Sequence, residues 1–357
     1  MEEPWLEIHP DFKLNGKTYI LSKLINVAEA MQFEGDKEEK ILSEFLLNWL
    51  YPKDTLLANT SGSTGSPKTI TLDKSKMIAS AKATGAHFNL YEGTKALHCL
   101  SANYIAGKMM MVRALYLGWH IDVVTPNKFP LSQTKKIYDF AAMVPMQLQH
   151  SIKDLHRIKK VIVGGAPVSP VLENELQSLS TELFATYGMT ETITHIAIKK
   201  LNHRTDEEQK LNAYVALPNV KFSVDNRNCL IIDAPGVTSQ KVITNDVVKL
   251  ISETKFSWLG RADFVINSGG YKVHPEQVEQ VLDLVIDAPF FVTSLPDSEL
   301  GEKVVLIIEG KEESFPEIDY VGLHAFQVPK DVFFTDELIY TTTGKINRKK
   351  SKEKLNL

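Results

Sequence analysis

The stretch Thr60-Ser61-Gly62-Ser63-Thr64-Gly65-Ser66-Pro67-Lys68 sets glycines, hydroxyls and one lysine between two strand-like segments. Glycine lets the backbone turn with its N–H groups facing inward, hydroxyls add donors, and Lys68 adds positive charge. That combination can wrap a polyphosphate. The same composition also describes an ordinary Gly/Ser surface loop. Spacing excludes a Walker-type triphosphate loop, because G-x-x-x-x-G-K-[ST] is absent and Lys68 follows Pro67.

Such a loop needs a scaffold. Ile41, Leu42, Phe45, Leu46, Trp49 and Leu50 fall at helical spacing and predict an amphipathic helix over Asp36–Leu50. A strand over Thr55–Asn59 leads into the loop, and Asp73 is placed to cap a helix through Met77, Ile78 and Ala81. Strand-like Lys95–Leu100, His120–Val124, Ala141–Val144 and Lys160–Val163 then alternate with helix-like Ile105–Leu117, Gln133–Tyr138, Pro145–Lys153 and Pro170–Leu179. Alternation of this kind predicts βαβ units and a mostly parallel sheet. From Thr194 to Leu259 short β-rich runs take over: Lys221–Asp225, Leu230–Asp233, Lys241–Thr244 and Val247–Ser252. They predict a small antiparallel layer or barrel. A helix at Pro275–Val285 and strands at Phe290–Ser294 and Val304–Ile308 predict a compact α+β domain after a short hinge near Gly260–Asp263. The expected fold is α/β. A large N-terminal domain (residues 1–260) has mostly parallel sheets flanked by helices and a small β-rich subdomain at about 194–259. A small α+β C-terminal domain (261–357) follows.

Composition narrows the function. A net charge of −4 argues against a protein that coats nucleic acid. With 43% hydrophobic and 24% charged residues the chain is an ordinary globular protein, neither disordered nor fibrous. The longest apolar runs, such as Val304–Ile308, fall far short of the ~20 residues of a membrane span. The acidic start Met1-Glu2-Glu3-Pro4 carries no apolar signal stretch. Cys99 and Cys229 lie far apart without metal spacing and read as small hydrophobes in a reducing compartment, so the cytoplasm is the expected location.

At the Thr60–Lys68 loop the sequence resembles the acyl-adenylate-forming enzymes: acyl-CoA synthetases, luciferases and peptide-synthetase adenylation domains. Their phosphate signature reads [ST]-S-G-[ST]-T-G-x-P-K. Three further matches follow in order. Ala185-Thr186-Tyr187-Gly188-Met189-Thr190-Glu191 matches Y-G-x-T-E. Gly260-Arg261-Ala262-Asp263 matches G-R-x-D, followed by Gly269-Gly270-Tyr271-Lys272-Val273 and Pro275-Glu276-Gln277-Val278-Glu279. Thr343-Gly344-Lys345 matches the T-G-K lysine element.

The resemblance implies a two-step reaction that uses ATP, Mg²⁺ and CoA. A carboxylate first attacks the α-phosphate of ATP, and CoA then takes the acyl group. Thr60, Ser61, Gly62, Ser63, Thr64, Gly65 and Lys68 would hold the β- and γ-phosphates. Glu191 would ligate Mg²⁺, and Thr190 would bond the α-phosphate region. Tyr187, with Gly188 beside it, would stack on adenine, whose edge meets Gly164-Gly165-Ala166-Pro167. Asp246 would bind ribose, Arg261 the ribose or phosphates, and Lys345 the carboxylate and bridging oxygen. In the second step the small domain would turn about Asp263, exchanging Lys345 for the Gly269, Gly270 and Lys272 face, where Gly270 lets pantetheine pass. Taken singly, each residue has a plainer reading. Glu191 alone suits a solvated acid, Tyr187 a core ring, Asp246 a turn cap and Lys345 a solvated basic tail. Arg261 and Asp263 alone suit a simple ion pair.

The acid is less constrained. Leu100-Ser101-Ala102-Asn103-Tyr104-Ile105-Ala106-Gly107 matches a family region that usually reads L-P-L-F-H-x-x-G, with Asn103-Tyr104 in place of Phe-His. Beyond it, Lys108 and Arg113 sit on a largely apolar helix. An apolar pocket with a cation suits an acid bearing a second carboxylate; alternatively these cations snorkel to solvent. Tyr104, Lys108, Arg113 and His195 are therefore the candidate acyl-site residues, and His195 equally suits the core. Together with Val144-Pro145-Met146-Gln147-Leu148, this region is similar to ligases acting on o-succinylbenzoate, an aromatic dicarboxylic acid. Only 59 residues precede Thr60, fewer than the family usually has. Either the remaining sheet is self-sufficient or a homo-oligomer covers its face. The expected partners are small molecules, with no nucleic acid and no membrane span. A ligase for another acid or for a carrier protein, and a non-catalytic nucleotide-binding relative, stay open.

Overall fold

The computed structural model describes residues 3–59, 69–315, 318–341 and 345–357. The phosphate-loop residues Thr60, Ser61, Gly62, Ser63, Thr64, Gly65 and Lys68 lie outside the described residues, as do Thr343 and Gly344. The chain groups into two compact units. The first comprises Met1–Val168, Leu176–Lys221 and Ile232–Val242, the second Ser169–Glu175, Phe222–Ile231 and Ile243–Leu357.

The first unit is built on parallel strands. His120–Val123, Lys95–His98, Tyr138–Met143, Ile158–Val163 and Glu182–Gly188 lie side by side in that order, each pair parallel. His195–Lys200 closes antiparallel on Glu182–Gly188. The helices Leu21–Glu34, Lys37–Trp49, Lys74–Phe88 and Ile105–Leu117 accompany this sheet. The Lys37–Trp49 helix starts where expected because Asp36 accepts the N–H groups of Glu38 and Glu39 while Glu39 accepts that of Asp36. Its end is held from outside. Lys74, wholly buried, donates to Trp49 O and Tyr51 O at 2.8 Å each and lies near the Trp5 and Trp49 rings. Burial pushes its ammonium down to about 8.

Some expected elements are corrected. No helix forms over Gln133–Tyr138. A 3-10 turn covers Pro130–Gln133, and a strand begins at Tyr138. The carbonyls of Leu131 and Thr134 are taken by the guanidinium of Arg157, so this backbone is satisfied without a helix. The Pro145–Lys153 helix shortens to Pro145–Gln149, and the Pro170–Leu179 helix to Pro170–Glu175, each followed by a 3-10 turn. The two strands expected at Lys241–Thr244 and Val247–Ser252 are one, Val242–Ser252.

In the second unit Val242–Ser252 pairs antiparallel with Lys255–Arg261, which sets Asp246 opposite Arg261 and Val247 opposite Gly260. A smaller sheet follows. Gly301–Glu309 pairs antiparallel with Phe290–Asp297 and parallel with Asp331–Thr335, while the hairpin Ile266–Ser268/Tyr271–Val273 joins it through Ser268 and Gly301. The helices Pro275–Leu282 and Arg348–Lys354 complete this part. Alternation along Gly301–Glu309 sends Val304, Leu306 and Ile308 into a cluster with Val278, Leu282 and Val292, and Ile307 into another with Phe291 and Leu338. Each fully buried aliphatic side chain contributes about 1.5–3 kcal/mol. The fold is α/β: a large mixed sheet whose central strands are parallel and which takes in the β-rich stretch, helices, and a smaller separate sheet. Among the described residues no helix is long and apolar enough to cross a membrane. Cys99 and Cys229 are buried and free.

Candidate active site

Lys95–His98 lies between His120–Val123 and Tyr138–Met143, so the chain leaves it first toward one neighbour and then toward the other. Open α/β sheets form a binding crevice at such a reversal, beyond the carboxyl ends of the strands. Two segments issue from those ends: Cys99 to Tyr104, which opens the Ile105–Leu117 helix, and the Val144–Gln147 turn. Gln147 ties them together, donating to Cys99 O at 2.8 Å and accepting the Val144 N–H at 3.2 Å.

Gly164-Gly165-Ala166-Pro167 leaves the next strand end. Gly165 has φ +86°, a left-handed conformation that favours glycine. A Cβ on Gly164 would lie 2.5 Å from Thr186 Oγ1, which itself donates to Val163 O at 3.0 Å. The glycine backbone therefore runs flush against the strand that carries Tyr187, whose ring tilts against Tyr214 at 5.7 Å. Gly164→Ala is expected to lower stability by about 1–3 kcal/mol through overpacking and to weaken AMP binding. Melting curves and AMP titration check both, and unchanged AMP affinity would remove this backbone from the site.

After Tyr187 the chain has no slack. A Cβ on Gly188 would collide with Thr194 O and His195 Cα. A single 3-10 turn, Thr190–Thr192, buries Thr190 and leaves Glu191 exposed. Thr192 Oγ1 accepts the Met189 N–H at 3.0 Å and lies 2.8 Å from Thr194 O. Ile193, buried and β-branched, is held at φ +66°, a strained conformation that such residues rarely adopt. This reversal directs the Thr194 hydroxyl at Arg113, whose Nη2 donates to it at 3.2 Å.

Arg113 is 1% exposed. Its other contact is Met110 Sδ at 3.7 Å; Nε has no partner, and no carboxylate pairs with the guanidinium among the described residues. Burial pushes the group down to about 9, which still leaves it charged at neutral pH. His195 stands beside it, 5% exposed, with Nδ1 at 3.4 Å from Thr194 Oγ1 and Nε2 unpartnered among the described residues. Burial, then the positive charge of Arg113, then His87 hold this imidazole well below its usual value, so it is neutral. Lys108 goes elsewhere. Its ammonium lies 5.5 Å from the Phe45 ring and is lowered by burial, with Glu44 opposing. Tyr104 is half-exposed at the start of the helix. The structure thus gathers Arg113, Thr194 and His195 and separates Lys108 from them.

A second group forms in the other unit. Asp246, 8% exposed, accepts the Trp258 indole N–H at 3.2 Å and faces Arg261 Nη1 at 3.8 Å. Arg261 Nη2 also meets Asp263 at 2.8 Å, and Asn245 donates to Asp263 at 3.2 Å. Lys345 shares this field: burial and then Arg261 lower its ammonium, and Asp246 opposes them. Lys345 does not belong to a loose basic tail. Arg348, three residues on, is clamped by Glu279 and Val292 O and lies against the Phe264 and Phe291 rings. Gly269 and Gly270, at φ +57° and +79°, turn the hairpin whose second strand presents an exposed Lys272.

Sequence reasoning gave no role to His87, Trp258 or the side chain of Glu276. His87 and Trp258 lie outside every motif, and their proximity to His195 and Asp246 is tertiary.

The profile of the AMP-binding enzyme family matches residues 11–237. The 2-succinylbenzoate–CoA ligase of Lactococcus lactis is 23% identical over 327 residues, covering 84% of this chain and 71% of that one. The crystal structure of an acyl-CoA synthetase (AMP-forming)/AMP-acid ligase II-like protein from Dyadobacter fermentans is 36% identical, covers 92% of this chain and 98% of its own, and superposes with a TM-score of 0.60. The o-succinylbenzoate coenzyme A synthetase of Bacillus subtilis, solved with ATP and magnesium ion, shares the fold at a TM-score of 0.71 and 20% identity, covering 83% of this chain and 69% of that one. With its motifs in order and a family profile spanning residues 11–237, the chain belongs to the AMP-binding, adenylate-forming enzyme family.

Proposed function

We propose that the chain is an ATP-dependent acid–CoA ligase whose favoured acid is o-succinylbenzoate. The observation that carries the acid assignment is Arg113: a buried, charged guanidinium with no carboxylate partner among the described residues, beside a neutral histidine. Burying an unpaired charge is costly. A second carboxylate on the substrate would complete the ion pair, while the surrounding Met110 and Phe88 suit an aryl body.

In the first step a carboxylate oxygen attacks the α-phosphorus, and the bond to the pyrophosphate oxygen breaks. Two anions must meet, so the demand is for positive charge and positioning. The Thr60–Lys68 loop holds the β- and γ-phosphates and Thr190 the α-phosphate. Tyr187 stacks on adenine against Gly165-Ala166-Pro167, Asp246 and Arg261 take the ribose and phosphates, and Lys345 meets the carboxylate and bridging oxygen. Among the described residues no cluster of three His, Cys, Asp or Glu could cage a metal. The single exposed carboxylate of Glu191 fits Mg²⁺, which binds through one or two carboxylates completed by phosphate oxygens; bound there, it would neutralise phosphate charge. In the second step the CoA thiolate attacks the acyl carbonyl and AMP leaves, after residues 261–357 turn about Asp263 to bring up Gly269, Gly270 and Lys272. The cytoplasm suits these substrates.

ATP–pyrophosphate exchange across a panel of acids tests the proposal. Exchange is expected with o-succinylbenzoate. Exchange with another acid and none with this one would overturn the substrate, and ATP binding without AMP formation under any acid would favour a non-catalytic relative.

A further inference from the structure

Glu276 opens the Pro275–Leu282 helix, yet its carboxyl group turns inward onto the Lys255–Arg261 strand. It is nine-tenths buried. Oε1 accepts the backbone N–H of Arg261 at 3.3 Å. Oε2 is enclosed, with no partner among the described residues, and occupies the space that a Cβ at position 260 would need. Gly260 is therefore required by Glu276: its φ of +155° and missing side chain let the acid reach the strand. The residue so held, Arg261, carries Asp263 at 2.8 Å and Asp246 at 3.8 Å on its guanidinium. Glu276 touches neither acid itself.

We propose that Glu276 is a positioning residue, which fixes the Gly260–Arg261 backbone through one hydrogen bond and so aims the Arg261 guanidinium at the nucleotide. The proposal rests on the reading that Asp246 and Arg261 meet ATP. The groups acting on Glu276 are Arg348 from the last helix, Glu279 on its own helix, and the N–H groups of Arg261 and of Glu276 itself; His274 precedes it by two residues. Burial dominates them and raises the carboxyl to about 7, with Arg348 opposing. Near pH 6 the group is thus a neutral acid that keeps an acceptor oxygen. Above neutrality it becomes a buried anion behind the Arg261 backbone, which opposes the arrival of further negative charge at that residue.

Two variants separate these properties. Glu276→Gln keeps an acceptor and cannot ionise; Glu276→Ala has neither. MgATP affinity is measured by calorimetry at pH 6 and 8.5, with melting curves at both. At pH 6, Glu276→Gln should match wild type, and Glu276→Ala should bind about tenfold more weakly, the loss of one hydrogen bond that orders a charged group. From pH 6 to 8.5 the wild-type affinity should fall about threefold, and that of Glu276→Gln should stay flat. Stability should follow. Between the usual carboxyl range and about 7 the folded protein holds a proton that the unfolded chain has lost, so wild-type stability declines as pH rises through this window. Glu276→Gln should then melt above wild type at pH 8.5. Undiminished MgATP binding by a folded Glu276→Ala, or a wild-type pH slope in Glu276→Gln, would overturn the proposal. If Glu276→Ala does not fold, the Glu276→Gln slope decides. Wild-type protein that bound no MgATP would overturn the nucleotide reading, and this proposal with it.

Discussion

Lys345→Ala is expected to abolish adenylation while sparing thioester formation from preformed acyl-adenylate. The lysine sits in the field of Arg261 and Asp246, with its ammonium half-buried and depressed by burial. A partly desolvated ammonium exerts a stronger electrostatic effect than a solvated one. Removing a preorganised charge aimed at a developing anion typically costs about 10²–10³ in rate. The Arg348 clamp on Glu279 anchors the following helix independently of Lys345, so the variant should fold. Pyrophosphate exchange reports the first half-reaction, and release of AMP from synthetic acyl-adenylate plus CoA reports the second. Equal loss of both would refute the assignment of Lys345 to one step.

The second large effect is expected at Arg113. Arg113→Met should reduce kcat/KM for o-succinylbenzoate about a hundredfold, since truncating one partner of a buried charge pair costs about 2–5 kcal/mol. A monocarboxylic analogue lacking the second acid should lose little. The same substitution should stabilise the ligand-free protein by about 1–4 kcal/mol, because it replaces an unpaired buried charge by a hydrophobe of similar length. Loss of activity with a gain of melting temperature is the signature. Equal loss for mono- and diacids would show that Arg113 serves packing of the Thr194 segment and not the acid.

Local signals were legible in the sequence. The apolar spacing gave the Lys37–Trp49 helix almost to the residue, and the structure adds the Asp36/Glu39 capping box that sets its start. Asp73 caps the Lys74–Phe88 helix as read, accepting the Ser75 N–H. Features set by distant residues were not. The expected Gln133–Tyr138 helix is displaced by a guanidinium about twenty residues downstream. Lys108 and Arg113 look alike on a one-dimensional helix, but one leans on Phe45 and the other is enclosed beside Thr194. No propensity predicts an isoleucine at positive φ at 193, the centre of a tight reversal in which the Thr194 N–H donates to Thr192 O. The site motifs were found as an ordered set; the environments that decide their chemistry came from the fold.

The Arg348 clamp also constrains timing. The hairpin bearing Gly269 and Gly270 runs straight into the Pro275–Leu282 helix, and Glu279 on that helix grips the arginine three residues past Lys345. The lysine and the glycine turn are thereby welded into one block, like the two ends of a single key. If each serves a different half-reaction, neither can be presented without withdrawing the other, so the two half-reactions must take turns.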